Sequence, residues 1–310
     1  MKILVTTPTG NVGRHVVREL LAPEFTVRVI ARDPARLPEE VRAQAEVVCG
    51  STDDAALLET ALDGMDALFW CTPPPVPQET EVRGHYERFA RAAAAAVRQA
   101  GTPRVVTVSS GGRGLARNAG PISALHAMED IFDASGAAVR HLRCGAFMEN
   151  FLRQVPGIAR RGVITQPMPG HIAIPMVAAA DVADVALRWL VRREWTGRAG
   201  VAVHGPEDLS YNHAAALLEQ VLGQPVRYEE ISANAYAQLL VNAGVSAAQV
   251  QGLVAMFAEL ANGIARVEPR TSDTTTATSF TAWATRELLP RVQGAAPGGR
   301  ETNGHALCKV

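Results

Sequence analysis

The chain has 310 residues, 47% of them hydrophobic, with 30 basic and 31 acidic side chains and a formal net charge of −1. That length suits one large domain or a nucleotide domain with a smaller partner, and the near-neutral balance argues against nucleic acid or an anionic membrane as main partner. Cys49, Cys71, Cys144 and Cys308 make no C-x-x-C pair, which predicts reduced thiols, no metal site and a cytoplasmic setting, and no stretch offers the ~20 uncharged apolar residues of a membrane span.

Ile3-Leu4-Val5 reads as a strand, Thr6-Thr7-Pro8-Thr9-Gly10-Asn11-Val12-Gly13 as a tight turn, and Arg14 to Leu21 as a helix. The motif lies so near the first residue that no targeting segment is expected ahead of it. Further strands are predicted at Thr26–Ala31, Glu46–Cys49, Ala67–Cys71, Arg104–Val108 and Ala138–Leu142, alternating with helices at Asp53–Leu62, about Glu79–Ala100 and Ser123–Ala134. The continuous apolar run Ala67-Leu68-Phe69-Trp70-Cys71 fits a strand buried on both faces, and Pro73-Pro74-Pro75 ends it. This alternation predicts an α/β fold, a Rossmann-type doubly wound parallel sheet, with a smaller C-terminal α/β substrate-side region.

Beyond the sixth strand, Asp181–Arg192 is helix-patterned, Gly200–His204 a strand, and Ser210–Leu222 a helix with Ser210 as N-cap. Val226–Ile231 reads as a strand, and Ala233–Ala243, Ser246–Leu260 and Ser279–Leu288 as helices. The expected organisation is a dinucleotide-binding part from 1–150 plus 176–195, a substrate-side part from 151–175 plus 196–291, and a disordered tail over 292–310.

A strand, a glycine turn and a helix N-terminus form a pyrophosphate site, because glycine admits the phosphates and the first helical turn offers unpaired N–H groups. Ligands of such sheets lie beyond the carboxyl ends of the strands. Thr9, Arg32, Cys71–Pro73, Ser109–Gly111 and Cys144–Asn150 are therefore expected on one side of the sheet. Thr7 occupies the place where a G-x-x-G-x-x-G reading wants glycine, and its Cβ crowds the turn. Arg32 ends the second strand, where a guanidinium suits a 2′-phosphate, while neighbouring Asp33 suits a ribose hydroxyl. NADP(H) is favoured, with NAD(H) possible.

Thr9-Gly10-Asn11-Val12-Gly13, Ala31-Arg32-Asp33-Pro34, Arg143-Cys144-Gly145-Ala146-Phe147-Met148-Glu149-Asn150 and Ala180-Asp181-Val182-Ala183 together resemble the NmrA-like branch of the atypical short-chain dehydrogenases/reductases. Gly205-Pro206-Glu207-Asp208-Leu209-Ser210 is similar to the C-terminal part of that family. The resemblance spans roughly residues 1–290 and implies a Rossmann-type domain that takes NAD(P). Short-chain dehydrogenases usually carry a Y-x-x-x-K pair on the helix before the sixth strand; here those positions hold Pro121 and Leu125. Lys2 and Lys309 are the chain's two lysines, so an active-site lysine has almost no candidate.

The expected cofactor contacts are Thr7, Thr9, Gly10, Asn11, Val12, Gly13, Arg32, Cys71, Thr72, Pro73 and Ser109. His126, one residue past the missing lysine, and Ser109 are the candidates for proton transfer, although a hydroxyl without a base is only a hydrogen-bond donor. For His126 the favoured reading is an ordinary helix-face histidine with no catalytic role. Tyr86, Phe147, Met148 and Asn150 are expected to line a pocket for a flat small molecule, with His85 a weaker candidate and Asn150 also readable as a loop-ordering residue. The function expected is an NAD(P)H-dependent oxidoreductase acting on a conjugated, quinone-like substrate or a biosynthetic intermediate. The alternatives are a non-catalytic NAD(P) sensor and a non-redox tailoring enzyme in the same pocket; the oligomeric state is left open.

Overall fold

Strand by strand, the apolar runs become the interior of one sheet, as seen in a computed structural model that describes residues 1–115 and 118–295. The first half runs β1 (Lys2–Val5), α1 (Gly13–Leu20), β2 (Thr26–Ala31), α2 (Glu39–Gln44), β3 (Glu46–Cys49), α3 (Ala55–Leu62), β4 (Ala67–Trp70), α4 (Val82–Ala100), β5 (Arg104–Ser110), α5 (Pro121–Asp133) and β6 (Ala138–Cys144). The second half runs β7 (Ala146–Phe147), α6 (Val155–Arg161), β8 (Val163–Gln166), β9 (Ile174–Val177), α7 (Ala179–Val191), β10 (Arg198–Val203), β11 (Asp208–Leu209), α8 (Tyr211–Leu222), β12 (Arg227–Glu230), α9 (Ala233–Asn242), α10 (Ala247–Ala261), α11 (Phe280–Trp283) and α12 (Leu289–Gly294).

Seven strands form a parallel sheet in the order β10-β6-β5-β4-β1-β2-β3. All four residues of β4 are buried, because helices cover both faces of a parallel sheet. Val16, Val17 and Leu20 of α1 and Val182, Val185 and Ala186 of α7 pack on one face. Leu58 of α3, Phe89 and Ala93 of α4, and Met128 and Phe132 of α5 pack on the other. This is the doubly wound, Rossmann-type arrangement. A second core joins Phe151, Met168, Tyr211, Phe280 and Trp283, beside a three-stranded sheet β11-β9-β7 and a two-stranded sheet β12-β8.

Element ends differ from expectation where capping and proline chemistry decide them. The α5 helix starts at Pro121, two residues early, behind Gly120 with φ 52°; proline at the first helical position loses no needed N–H. Ser210 caps α8 as expected, accepting from His213 N at 3.2 Å. The last predicted helix does not stop at Leu288: a π-turn over Ala284–Leu288 leads into α12. Val292 to Gly294 is thus helical, correcting the expected disorder there, with Val292 buried in the second core. The rest of that tail from 296, with Cys308 and Lys309, lies outside the described residues. No helix among them is long and apolar enough to cross a membrane.

Candidate dinucleotide and substrate cleft

The glycine turn works through an unusual residue. Thr7 has φ 49°, the sole positive value at a non-glycine position among the described residues, in the region that costs an L-residue about 1–2 kcal/mol. Its carbonyl accepts from Gly10 N at 2.9 Å. A Cβ on Gly13 would fall 2.9 Å from the Thr7 carbonyl carbon and closer still to its oxygen. The first turn of α1 therefore packs directly on the Thr7 peptide, and Gly13 cannot carry a side chain. No side chain among the described residues caps α1; Arg14 N and His15 N donate to the Gly10 and Val12 carbonyls at 3.2 and 3.0 Å, so the amides of Asn11, Val12 and Gly13 are the ones that suit an anion. Thr7 Oγ1 is buried without a hydrogen-bond partner of normal geometry among the described residues, with the Cys71 thiol nearby. An orphaned hydroxyl beside uncapped amides fits a phosphate.

Thr7, Gly10, Asn11, Val12 and Gly13 line a cleft of about 370 Å³ together with Cys71, Thr72, Ser109–Gly111 and Cys144–Phe147. The carboxyl ends of β1, β4, β5 and β6 thus meet at one cavity. Burial pushes the Cys71 thiol up to about 11, so it lines the wall as a neutral group. Tyr86, Phe147 and Asn150 are also in the wall. Pro121 and Leu125, at the positions of the missing Tyr-Lys pair, line it too. That face of the cleft carries neither phenol nor amine.

Several expected residues lie elsewhere. Thr9 is exposed and outside the wall. Met148 is buried in the second core rather than in the cleft. Pro73 is replaced in the wall by Pro74, while its carbonyl contacts His85 Nε2 at 2.8 Å. His85 is buried, with Glu79 3.7 Å from Nδ1, and does not reach the cleft. His126 is also buried and outside the wall, its Nε2 3.0 Å from the Ser110 carbonyl. Its ring ties α5 to the end of β5, which removes the geometric basis for a proton-transfer role.

Ser109 does reach the cleft, but its proton points into the protein. Its Oγ donates to Glu129 Oε1 at 2.6 Å, and Arg143 grips the same carboxylate, with Nη2 2.7 Å from Oε2. Burial pushes the Glu129 carboxyl up, yet Arg143, His141 and Ser109 together hold it below the usual range. Ser109 therefore presents lone pairs, not a proton, to a ligand.

Arg32 is exposed at the carboxyl end of β2, outside the cavity wall. Asp33 is occupied: its Oδ1 accepts from Ala35 N at 3.1 Å, capping a short 3-10 turn at Pro34–Arg36. That cap holds one Asp33 oxygen in the local turn, while Arg32 has no ion-pair partner among the described residues.

Reading the chain locally missed several contributors to the wall. His204 follows β10, is buried, and has Nδ1 without a hydrogen-bond partner among the described residues. Arg153 is the one formally charged side chain among the described residues of the wall, and α9 and α10 supply much of its apolar part. The apolar spacing of α9 and α10 was legible; that they cover the cleft was not. Among the described residues no group of three or more His, Cys, Asp and Glu side chains is placed to hold a metal ion.

A glycine turn opening on a cavity at the carboxyl ends of a doubly wound parallel sheet defines a dinucleotide-binding Rossmann protein. The model of the NmrA-like family matches residues 1–284, and the chain belongs to that family. It is 37% identical over 235 residues to the (4-alkanoyl-5-oxo-2,5-dihydrofuran-3-yl)methyl phosphate reductase of Streptomyces griseus, covering 75% of this chain and 78% of that protein. It is 28% identical over 259 residues to an NAD(P)H azoreductase of Xenophilus azovorans, covering 83% and 86% of the two chains. Among solved structures it is similar to an Escherichia coli NADPH-dependent quinone oxidoreductase complexed with NADPH, with a TM-score of 0.76, 23% identity and coverage of 90% and 97%.

Proposed function

We propose that the protein is an NADP(H)-dependent oxidoreductase that reduces a conjugated, electron-poor small molecule without a Tyr-Lys proton relay. One observation carries this reading: the glycine turn and the substrate-side helices line a single cleft, in which Pro121 and Leu125 stand where an acid and its partner would be needed. The reduced nicotinamide supplies a hydride when bound. The residues of the protein bind and orient. Thr7 Oγ1 and the amides of Asn11 to Gly13 hold the pyrophosphate, and Arg32 pairs with the 2′-phosphate.

On the reacting side, Phe147 and Asn150 position the substrate, and Ser109 accepts a hydrogen bond. Burial raises the Tyr86 hydroxyl well above its ordinary value, so it stays protonated and donates to the substrate oxygen on which charge develops. A conjugated acceptor spreads that charge over several atoms, so a hydrogen bond suffices where an isolated ketone would need full proton transfer. Both named relatives are reductases, of an oxo-dihydrofuran phosphate and of azo compounds, which supports the class.

The test is to mix the full-length protein with NADPH and a panel of quinones, azo dyes and butenolides, following loss of reduced-nicotinamide absorbance. Turnover with at least one class is expected. Tight NADPH binding with no turnover on any class would favour the sensor reading, and binding of neither dinucleotide would overturn the proposal.

A further inference from the structure

The cleft has two unlike halves. Beyond the nucleotide end, its polar side chains include Asn150 and Gln154 from the segment after β7, Thr165 and Gln166 at the end of β8, and His204 just after β10. The opposite half comes from α5, α9 and α10. There α10 presents Leu253, Met256, Phe257 and Leu260 at helical spacing, and α9 presents Tyr236, Leu239 and Leu240. No charged side chain from these three helices lines the cavity.

These apolar residues sit at the edge of the core: Leu253 packs on the Leu240 cluster, and Met256 and Leu260 pack on the Ile122 cluster and on the second core. Leu253, Met256 and Leu260 are half-buried and Leu239 is 57% exposed, whereas Phe257 is buried in the second core and anchors the helix. Leu240 with Val245 and Val250, and Ile122 with Ala119 and Ile264, form two small separate clusters on either side. The stripe between them faces the cleft.

The cover is also fastened in place. Gly120 and Gly252 approach so closely that a Cβ on Gly120 would collide with the Gly252 backbone, fixing α10 against the start of α5. Gln249 Nε2 donates to the carbonyls of Val76 and Pro77 at 2.7 and 2.8 Å, and Ser246 N donates to Pro77 O at 2.8 Å. The proline loop after β4 and the cover helices thus form one rim.

We propose that this arm is a subsite for an unbranched alkyl or acyl chain carried by the substrate, whose conjugated head lies among the polar residues. The identity of the head rests on the reductase reading above; the chain subsite rests on the wall itself. A saturated chain needs no hydrogen-bond partner, matches aliphatic walls, and gains about 0.8 kcal/mol, or about fourfold in affinity, per buried methylene.

The test uses 2-alkyl-1,4-benzoquinones from methyl to nonyl with the full-length protein. Binding to the NADP-loaded protein is measured by calorimetry, and kcat/KM with NADPH in parallel. Affinity should rise about two- to fourfold per methylene over the shorter members and then level off. Met256→Trp, which fills the arm, should flatten that slope, with Leu253→Phe as a second variant and thermal melts checking that each folds. Affinity independent of chain length, or a slope unchanged in both folded variants, overturns the subsite even if quinones are reduced. A chain-dependent affinity without turnover supports the subsite while removing quinones as the reduced substrate.

Discussion

Ser109 Oγ donates a 2.6 Å hydrogen bond to Glu129 Oε1, so the serine that lines the cleft has its proton directed into the protein. The carboxylate is 1% exposed and held by Arg143. A hydroxyl so placed can accept from a ligand but does not serve as an acid. The pair links the end of β5 to α5, and so links the cleft wall to a buried ion pair beneath it.

Removing that hydroxyl should have a pH-dependent effect. Burial raises the Glu129 value, but Arg143, His141 and Ser109 outweigh it and leave the folded value lowered. A lowered folded value stabilises the protein above the ordinary glutamate value of about 4.3, and the contribution is lost as pH falls through the folded value. Ser109→Ala should therefore cost about 1–3 kcal/mol near neutrality in denaturant melts. The gap from the parent should shrink below about pH 4. A gap that stays constant on acidification would mean the hydroxyl does not act through the carboxylate charge.

The turn makes two opposite predictions. Thr7→Gly removes a left-handed threonine and should raise stability by about 1 kcal/mol, while weakening NADPH binding because the orphaned hydroxyl is gone. Gly13→Ala puts a Cβ against the Thr7 carbonyl and should lower both stability and cofactor affinity. Thermal melts with and without NADPH read both outcomes; equal melting changes of the same sign would contradict this account of the turn.

Arg32→Ala should separate the two dinucleotides. A charged hydrogen bond to the 2′-phosphate is worth about 1.5–3 kcal/mol, which is about a tenfold or greater loss of NADPH affinity, with NADH nearly unaffected. Asp33→Ala tests the ribose reading directly: an unchanged ratio of the two affinities means its carboxylate serves the Ala35 cap alone, and a selective loss of NADH would give it a ribose role. Equal losses for both cofactors on changing Arg32 would remove its 2′-phosphate role.

Tyr86 and His126 differ in where they face. Tyr86→Phe should lower kcat by about tenfold, the value of one hydrogen bond to developing charge, and affect KM less. His126→Gln retains a donor toward the Ser110 carbonyl and should leave the pH profile of turnover in place. A titration lost in the histidine variant would restore that residue to the chemistry.

Much of the architecture was legible because it is local. Apolar runs of strand length, alternating with helical spacing, are enough to announce a parallel sheet, and strand–turn–helix order announces its nucleotide end. The Tyr-Lys vacancy came from the resemblance to short-chain dehydrogenases, which marks Pro121 and Leu125 as the positions concerned, and both line the cleft. Where local reading went astray was in side-chain direction. Met148 and Phe147 are neighbours, yet one enters the second core and the other the cleft. His126 stands one residue from Leu125, and a helix turns such neighbours to different faces.

The sequence by itself determined the doubly wound sheet and its strand–turn–helix start, since each depends on residues close in the chain. Tertiary structure alone decided what shares the cleft. Gly252 meets Gly120, Gln249 meets the proline loop, and the Trp283 indole donates to Glu149 at 3.1 Å, 134 residues away. Such contacts are set by how helices pack once the sheet has formed, and helical periodicity specifies an apolar face without specifying the neighbour that will cover it.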